Sequence, residues 1–364
     1  MILNGSCFAL RAYDIGVQID IDASARLLEV TSERITIVPR HKAPKHFDYK
    51  SRPLHLRQAA ESLKIGSFSS LAAVELMLFE FGTVSVAYRI PFKASLSELI
   101  ELSDALYDNA TLRQDSQRRV EELLTSIRRA VVRPLISGFV EDYMIFEVTR
   151  GPADPLPQEL LKEYRQQIAQ ILSSEKIPLS EQEVNDAMAE QISYSPQDSA
   201  ILNWNAAFLY GPDAEDVRSV LEFANVQLLE MRYLDHQLDN SLEESYELLT
   251  RHRAKSLNIF RAFSRDLKRV ARMQIDGALL FEGVSNALKL LGDQYLARVY
   301  RMAARRFYLA DWDRSIARKL SALESIYQKL EDQVASRRME LLELVIVVLI
   351  LIEIIMAFIP GLSH

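Results

Sequence analysis

The residues best equipped for chemistry gather in a few places. Between Pro39 and Arg57, the cations Arg40, Lys42, Lys45, Lys50, Arg52 and Arg57 stand against the single acid Asp48. That imbalance suits an anionic partner, either lipid headgroups or RNA phosphates. The plainer reading is a solvated loop in a chain that must balance 50 acids. His41, His46 and His55 share the stretch, yet they lack the spacing of a helical metal pair, and no acid or cysteine cluster completes a ligand set. Cys7 is the lone cysteine. It excludes an internal disulfide framework, fits a reducing compartment, and reads as a small core residue rather than a nucleophile.

Catalytic fingerprints are missing. The chain has no Gly-x-Gly-x-x-Gly, Walker loop, His-Glu-x-x-His, Cys-x-x-Cys or Gly-x-Ser-x-Gly, so no catalytic, cofactor or metal site is expected. Paired catalytic carboxylates leave no mark in spacing alone. With a formal net charge of −7, the chain has no global attraction to nucleic acid. No basic n-region or apolar h-region follows Met1, so no signal peptide is expected.

The elements that would position these residues fall into an α+β or α/β domain over 1–212, long coiled-coil helices over 213–338, and a transmembrane anchor over 339–360. Residues 6–38 read as short strands: Cys7–Leu10, Val17–Ile21, and Arg34–Val38 ending at Pro39. Pro44 and Pro53 oppose regular structure in the basic stretch, which reads as a loop. Val74–Ile90 reads as two strands meeting near Gly82 and ended by Pro91. Helical spacing covers 96–110, 120–132, 160–172 and 181–191, with strands at 139–148 and 205–210. Strands and helices interleave throughout.

From Val217 an apolar seam recurs at spacings of four and three: Leu221, Ala224, Leu228, Met231, Asp235, Leu238, Leu242, Ser245 and Leu249. Asp235 breaks it and reads as a register device rather than a catalytic base. A second rod keeps one phase from Ile316 through Leu323, Leu330, Arg337, Leu344, Val348, Leu351 and Ile355. The simplest packing is an antiparallel helical hairpin, with a parallel homodimer through the second rod as its competitor.

That rod ends in the most apolar stretch of the chain, Leu341–Ile359, charged only at Glu343 and Glu353. About 19 residues at ~1.5 Å each span roughly 28 Å, close to the hydrocarbon core of a bilayer. Arg337 and Arg338 precede it and no Lys or Arg follows, which predicts a single C-terminal span with the bulk of the chain cytoplasmic. Such a protein sits in a bacterial inner membrane, or a mitochondrial one if eukaryotic. Glu353 would cost about 3 kcal/mol inside a bilayer and stands opposite the seam, so it reads as a second contact in a higher oligomer or as a protonated bystander.

With these residues in view, the chain resembles the "required for meiotic nuclear division" family, bacterial branch. The carriers are Leu342-Glu343-Leu344, the apolar run to Ile352-Glu353, and Trp204-Asn205-Ala206-Ala207. Leu221–Tyr233, Leu323–Leu330 and the hairpin around Phe79–Val84 are also similar. Leu344 replaces the family's usual tryptophan, and Leu341 stands where a basic residue is common. The resemblance implies a membrane-tethered α/β domain with helical arms and carries no catalytic residues.

The expectation is a membrane-anchored oligomeric scaffold, in the bilayer through 341–359, self-associated through its coiled coil, and open to an unidentified protein partner. Asp235, Arg337, Glu343, Leu344, Val348, Leu351, Glu353 and Ile355 form its oligomer and membrane interface. The rivals are a cation channel of magnesium-channel layout, which would need a second span and a Gly-Met-Asn filter, and an enzyme acting on RNA through 39–57.

Overall fold

The computed structural model describes residues 1–31, 35–37, 53–152, 154–212, 214–251 and 294–358, with Lys268, Ala271, Arg272 and Ile275 between the last two ranges. The chain divides into two compact units, Met1–Tyr233 with Leu280–Asp313, and Leu234–Leu279 with Arg314–His364.

In the first unit the strands are β1 Ile2–Asp14, β2 Gln18–Ile19, β3 Ile35–Ile37, β4 Leu54–Ala59, β5 Lys64–Ile65, β6 Phe68–Ser69, β7 Ala73–Leu78, β8 Thr83–Ser95, β9 Val131–Val132, β10 Val140–Thr149, β11 Glu190–Ile192, β12 Ser199–Leu202 and β13 Ala206–Gly211. Its helices are α1 Ile21–Thr31, α2 Leu96–Leu106, α3 Ala110–Ile127, α4 Pro157–Glu163, α5 Arg165–Ser173 and α6 Glu181–Ala187. Three more follow, α7 Glu215–Arg251, α8 Gln294–Arg306 and α9 Leu309–Phe358; α7 and α9 run on into the second unit.

Nine strands form one sheet in the order β11-β12-β13-β10-β1-β8-β7-β4-β3. Neighbours are antiparallel except β10 and β13, which run parallel. Alternation sorts the central side chains into two faces. Tyr13 and Tyr88 point one way, their hydroxyls reaching Ser116 and Asp115 of α3. Phe8, Thr83 and Glu147 point the other way, to α7: Arg218 lies 3.9 Å above the Phe8 ring and 3.1 Å from Glu147. Helices therefore cover both faces, which is why Cys7 and its neighbours through Asp14 are all buried.

Several expected elements differ. The strands expected through 6–38 are interrupted by α1, which starts after Asp20 caps it by accepting from the Ala23 amide at 2.8 Å. β8 passes through Pro91 to Ser95; β7 pairs only with Val84–Tyr88, so Pro91 sits where β8 has lost a neighbour and a missing N–H is tolerated. The hairpin near Gly82 is present: its φ is +103°, open to glycine, and a Cβ there would stand 1.8 Å from the Gly16 carbonyl oxygen.

The seam beginning at Val217 has a different partner from the one its spacing suggests. Val220 through Met231 are buried all round, because this half of α7 is covered by the sheet, at Thr83 and Glu141, and by α8, at Tyr300. Over a few turns a 3.6-residue face and a 3.5-residue seam look alike.

The C-terminal membrane anchor is overturned. Among the described residues no helix is long and apolar enough to cross a membrane. α9 is one 50-residue helix carrying charge along most of its length. Its uninterrupted apolar run, 344–352 between Glu343 and Glu353, spans only about 14 Å against a hydrocarbon core of about 30 Å. The tail-anchored placement in a bacterial or mitochondrial inner membrane loses its basis, as does the single span on which a channel would depend.

Candidate functional site

The sheet presents an unusual set of groups to α7. In the β1–β8 register Asp14 lies directly across from Thr83, and Ala12 across from Ser85. The Thr83 hydroxyl donates to Glu230 Oε1 on α7, while Glu230 Oε2 and the Ser85 hydroxyl are buried without a partner among the described residues. Asp14 is 5% exposed and Glu230 2%. Burial pushes the Asp14 carboxyl up to about 9, and the nearby Glu230 charge adds to the rise. Burial likewise lifts Glu230 to about 7, against the opposing Thr83 hydrogen bond.

The rest of this layer is better satisfied. Arg232 of α7 pairs with Glu141 of β10, and Asn225 donates to the Glu141 carbonyl at 3.4 Å. The Tyr300 hydroxyl of α8 donates to Gln227. A buried carboxyl pair beside a hydroxyl can hold or release a proton. Its burial keeps it from the reach of a substrate, so the arrangement suits proton storage rather than acid–base turnover.

A surface cleft of about 450 Å³ opens where β13 leads into α7, lined by residues including Tyr194, Asp198, Tyr210 and Tyr295. The Tyr194 and Tyr295 rings meet edge to face at 5.2 Å, and Arg298 lies 5.8 Å from the Tyr295 ring centroid. Asp198 is engaged in its own turn, accepting from the Tyr194 and Ser195 amides at 2.8 Å each.

Of the basic stretch, Arg40, Lys42, Lys45, Lys50 and Arg52 lie outside the described residues, as do His41 and His46. Arg57 belongs to β4, opposite Glu75 in the register, and His55 Nε2 stands 3.5 Å from Glu75 Oε2. Among the described residues no group of three or more His, Cys, Asp or Glu is placed to hold a metal ion. Cys7 is fully buried, and burial pushes its thiol far up.

Within the second unit Asp235 accepts from the Ser315 hydroxyl at 2.9 Å and lies 2.8 Å from Lys319 Nζ, tying α7 to α9. On α9, Glu343, Leu344, Val348, Leu351, Glu353 and Ile355 are all exposed. The Arg337 side chain lies outside the described residues. Asp14, Thr83 and Glu230 escaped sequence reasoning altogether. The available signal was the polar spacing Glu222, Asn225, Gln227, Glu230 inside the otherwise apolar run Leu221–Met231.

Residues 4–216, from β1 to the first turn of α7, match the family model described as "Uncharacterized protein MJ0711, N-terminal domain". The chain belongs to this family. Protein MJ0711 of Methanocaldococcus jannaschii is 27% identical over 266 residues, covering 72% of this chain and 74% of the relative. That alignment is longer than the family domain, so the likeness extends beyond it. No solved structure matches. The family domain supplies Asp14 and Thr83, whereas Glu230 lies C-terminal to it.

Proposed function

We propose that this chain is a non-enzymatic scaffold that assembles with further copies of itself through the apolar end of α9. The observation carrying the reading is the exposure of twelve large apolar side chains between Leu342 and Ile355, for example Leu344 at 61% and Leu351 at 56%. Half-exposed, they present on the order of 1,000 Å² per copy. A typical monomer's largest apolar patch is about 300–600 Å², and a stable interface covers about 800 Å² per partner. The apolar residues lie on every side of the helix, and a two-stranded seam covers only one side, which favours more than two copies.

The family match supports a domain held in common with the archaeal relative and assigns it no activity. The likeness of Leu342–Glu353 to the "required for meiotic nuclear division" family supports a scaffold over an enzyme. So does the position of the acid pair, out of reach of a substrate. Light scattering of the full chain across a concentration series tests the proposal. Wild type should be an oligomer, and the triple substitution Leu344→Asp, Val348→Asp, Leu351→Asp should give a monomer with an unchanged circular dichroism spectrum. A wild type that is monomeric at tens of micromolar, or a triple variant that stays oligomeric, overturns it.

A further inference from the structure

We infer that Asp14 and Glu230 share one proton, and that this proton is a pH-sensitive latch holding α7 on the sheet. Two carboxyl groups from different elements, β1 and α7, are both almost fully buried and lie on the same side of the sheet. One Glu230 oxygen takes the Thr83 hydroxyl, and the other has no donor among the described residues. The unfilled oxygen needs a hydrogen, and a protonated Asp14 is a chemically matched source.

The charged neighbours are engaged elsewhere. From β8 come Thr83, already donating to Glu230, and the unpartnered hydroxyl of Ser85. From β10 comes Glu141, whose charge is matched by Arg232 of α7. From α8 comes Tyr300, whose hydroxyl is directed to Gln227. None of these supplies a free positive charge to two ionised carboxylates, and in a desolvated layer two adjacent anions repel strongly.

The consequence follows by linkage. Both carboxyls titrate higher in the folded protein than in an exposed chain. The stability they contribute is therefore complete below their unfolded values and is lost as pH rises through the folded ones. Across about pH 7 to 9 the closed form keeps one proton that the open form has released, so the opening constant grows about tenfold per pH unit.

Hydrogen exchange over Ala224–Tyr233, corrected for intrinsic rates, reads this directly. Wild type should lose about 100-fold in protection between pH 7 and 9, while amides in α2 change less. Asp14→Asn and Glu230→Gln each replace the shared proton with a permanent amide donor, and each should flatten the pH dependence. If one variant fails to fold, the other and the wild-type profile still decide. A wild type with no change in protection, a variant that keeps the full slope, or protection at pH 9 restored by millimolar Ca²⁺ or Mg²⁺ would overturn the shared proton; the last result would assign a cation instead.

Discussion

The Asp235–Lys319 contact gives a test whose size follows from the structure. Lys319 Nζ lies 2.8 Å from Asp235 Oδ1, 2.7 Å from Asp239 Oδ1 and 3.2 Å from the Asp235 carbonyl. The two acids are not equivalent: Asp235 is 14% exposed and Asp239 55%. An exposed ion pair contributes about 0–1 kcal/mol, whereas a charge-assisted hydrogen bond out of water is worth about 1.5–3. Asp235→Ala also strands the Ser315 hydroxyl, so it should cost about 2 kcal/mol, and Asp239→Ala under about 0.5. In a double-mutant cycle with Lys319→Met, the Asp235 coupling should be about 1 kcal/mol, because Asp239 still shares the ammonium. Burial would lower the Lys319 ammonium, but the hydrogen bonds to Asp235 and Asp239 outweigh it and hold it above the ordinary lysine value. The pair's contribution is therefore full at neutral pH and fades only as pH rises through that raised value. Urea unfolding followed by circular dichroism measures the differences; at an m-value of about 3 kcal/mol/M, 2 kcal/mol shifts the midpoint by about 0.7 M. Equal costs for Asp235→Ala and Asp239→Ala, or a coupling below about 0.3 kcal/mol, would refute the reasoning.

Two further outcomes follow from single positions. Gly82→Ala combines a left-handed backbone with a Cβ 1.8 Å from the Gly16 carbonyl oxygen, so it should cost about 3 kcal/mol, seen as a lowered Tm; an unchanged Tm would contradict the tight turn. Burial would raise the Asp115 carboxyl, but hydrogen bonds from Arg119, Tyr88 and Arg118 outweigh it and hold it below the usual range. Its stabilisation is present above the unfolded value and lost as pH falls through the lower folded one, so Asp115→Asn should cost about 2 kcal/mol at pH 7 and progressively less as pH falls below 3.8, by thermal melting.

The sequence showed the interleaved first domain, the Gly82 hairpin and the two long rods, because each rests on local periodicity or a local turn. It concealed what depends on contacts far apart in the chain. The length of β1 was hidden because Arg11 and Asp14 look out of place in a central strand. Arg11 is accommodated next to the Asn109 carbonyl and Asp142, and Asp14 next to Thr83 and Glu230. The second face of α7 was hidden because an apolar seam does not reveal whether a helix or a sheet covers it. Asp235 was legible as a break in that seam, and its partners Ser315 and Lys319, 80 and 84 positions away, were not. The apolar stretch of α9 reaches bilayer length only if Glu343 and Glu353 count as tolerable interruptions.

The proposed assembly joins copies of this chain through the end of α9. Cys7, the one native cysteine, is buried, so Val348→Cys supplies the single accessible thiol of the chain. Mild oxidation of that variant followed by non-reducing electrophoresis should convert most of it to a disulfide-linked dimer at low micromolar concentration, and the added triple substitution at Leu344, Leu351 and Ile355 to Asp should abolish the product. A Val348→Cys protein that stays monomeric under oxidation while its thiol remains fully reactive would contradict the claim.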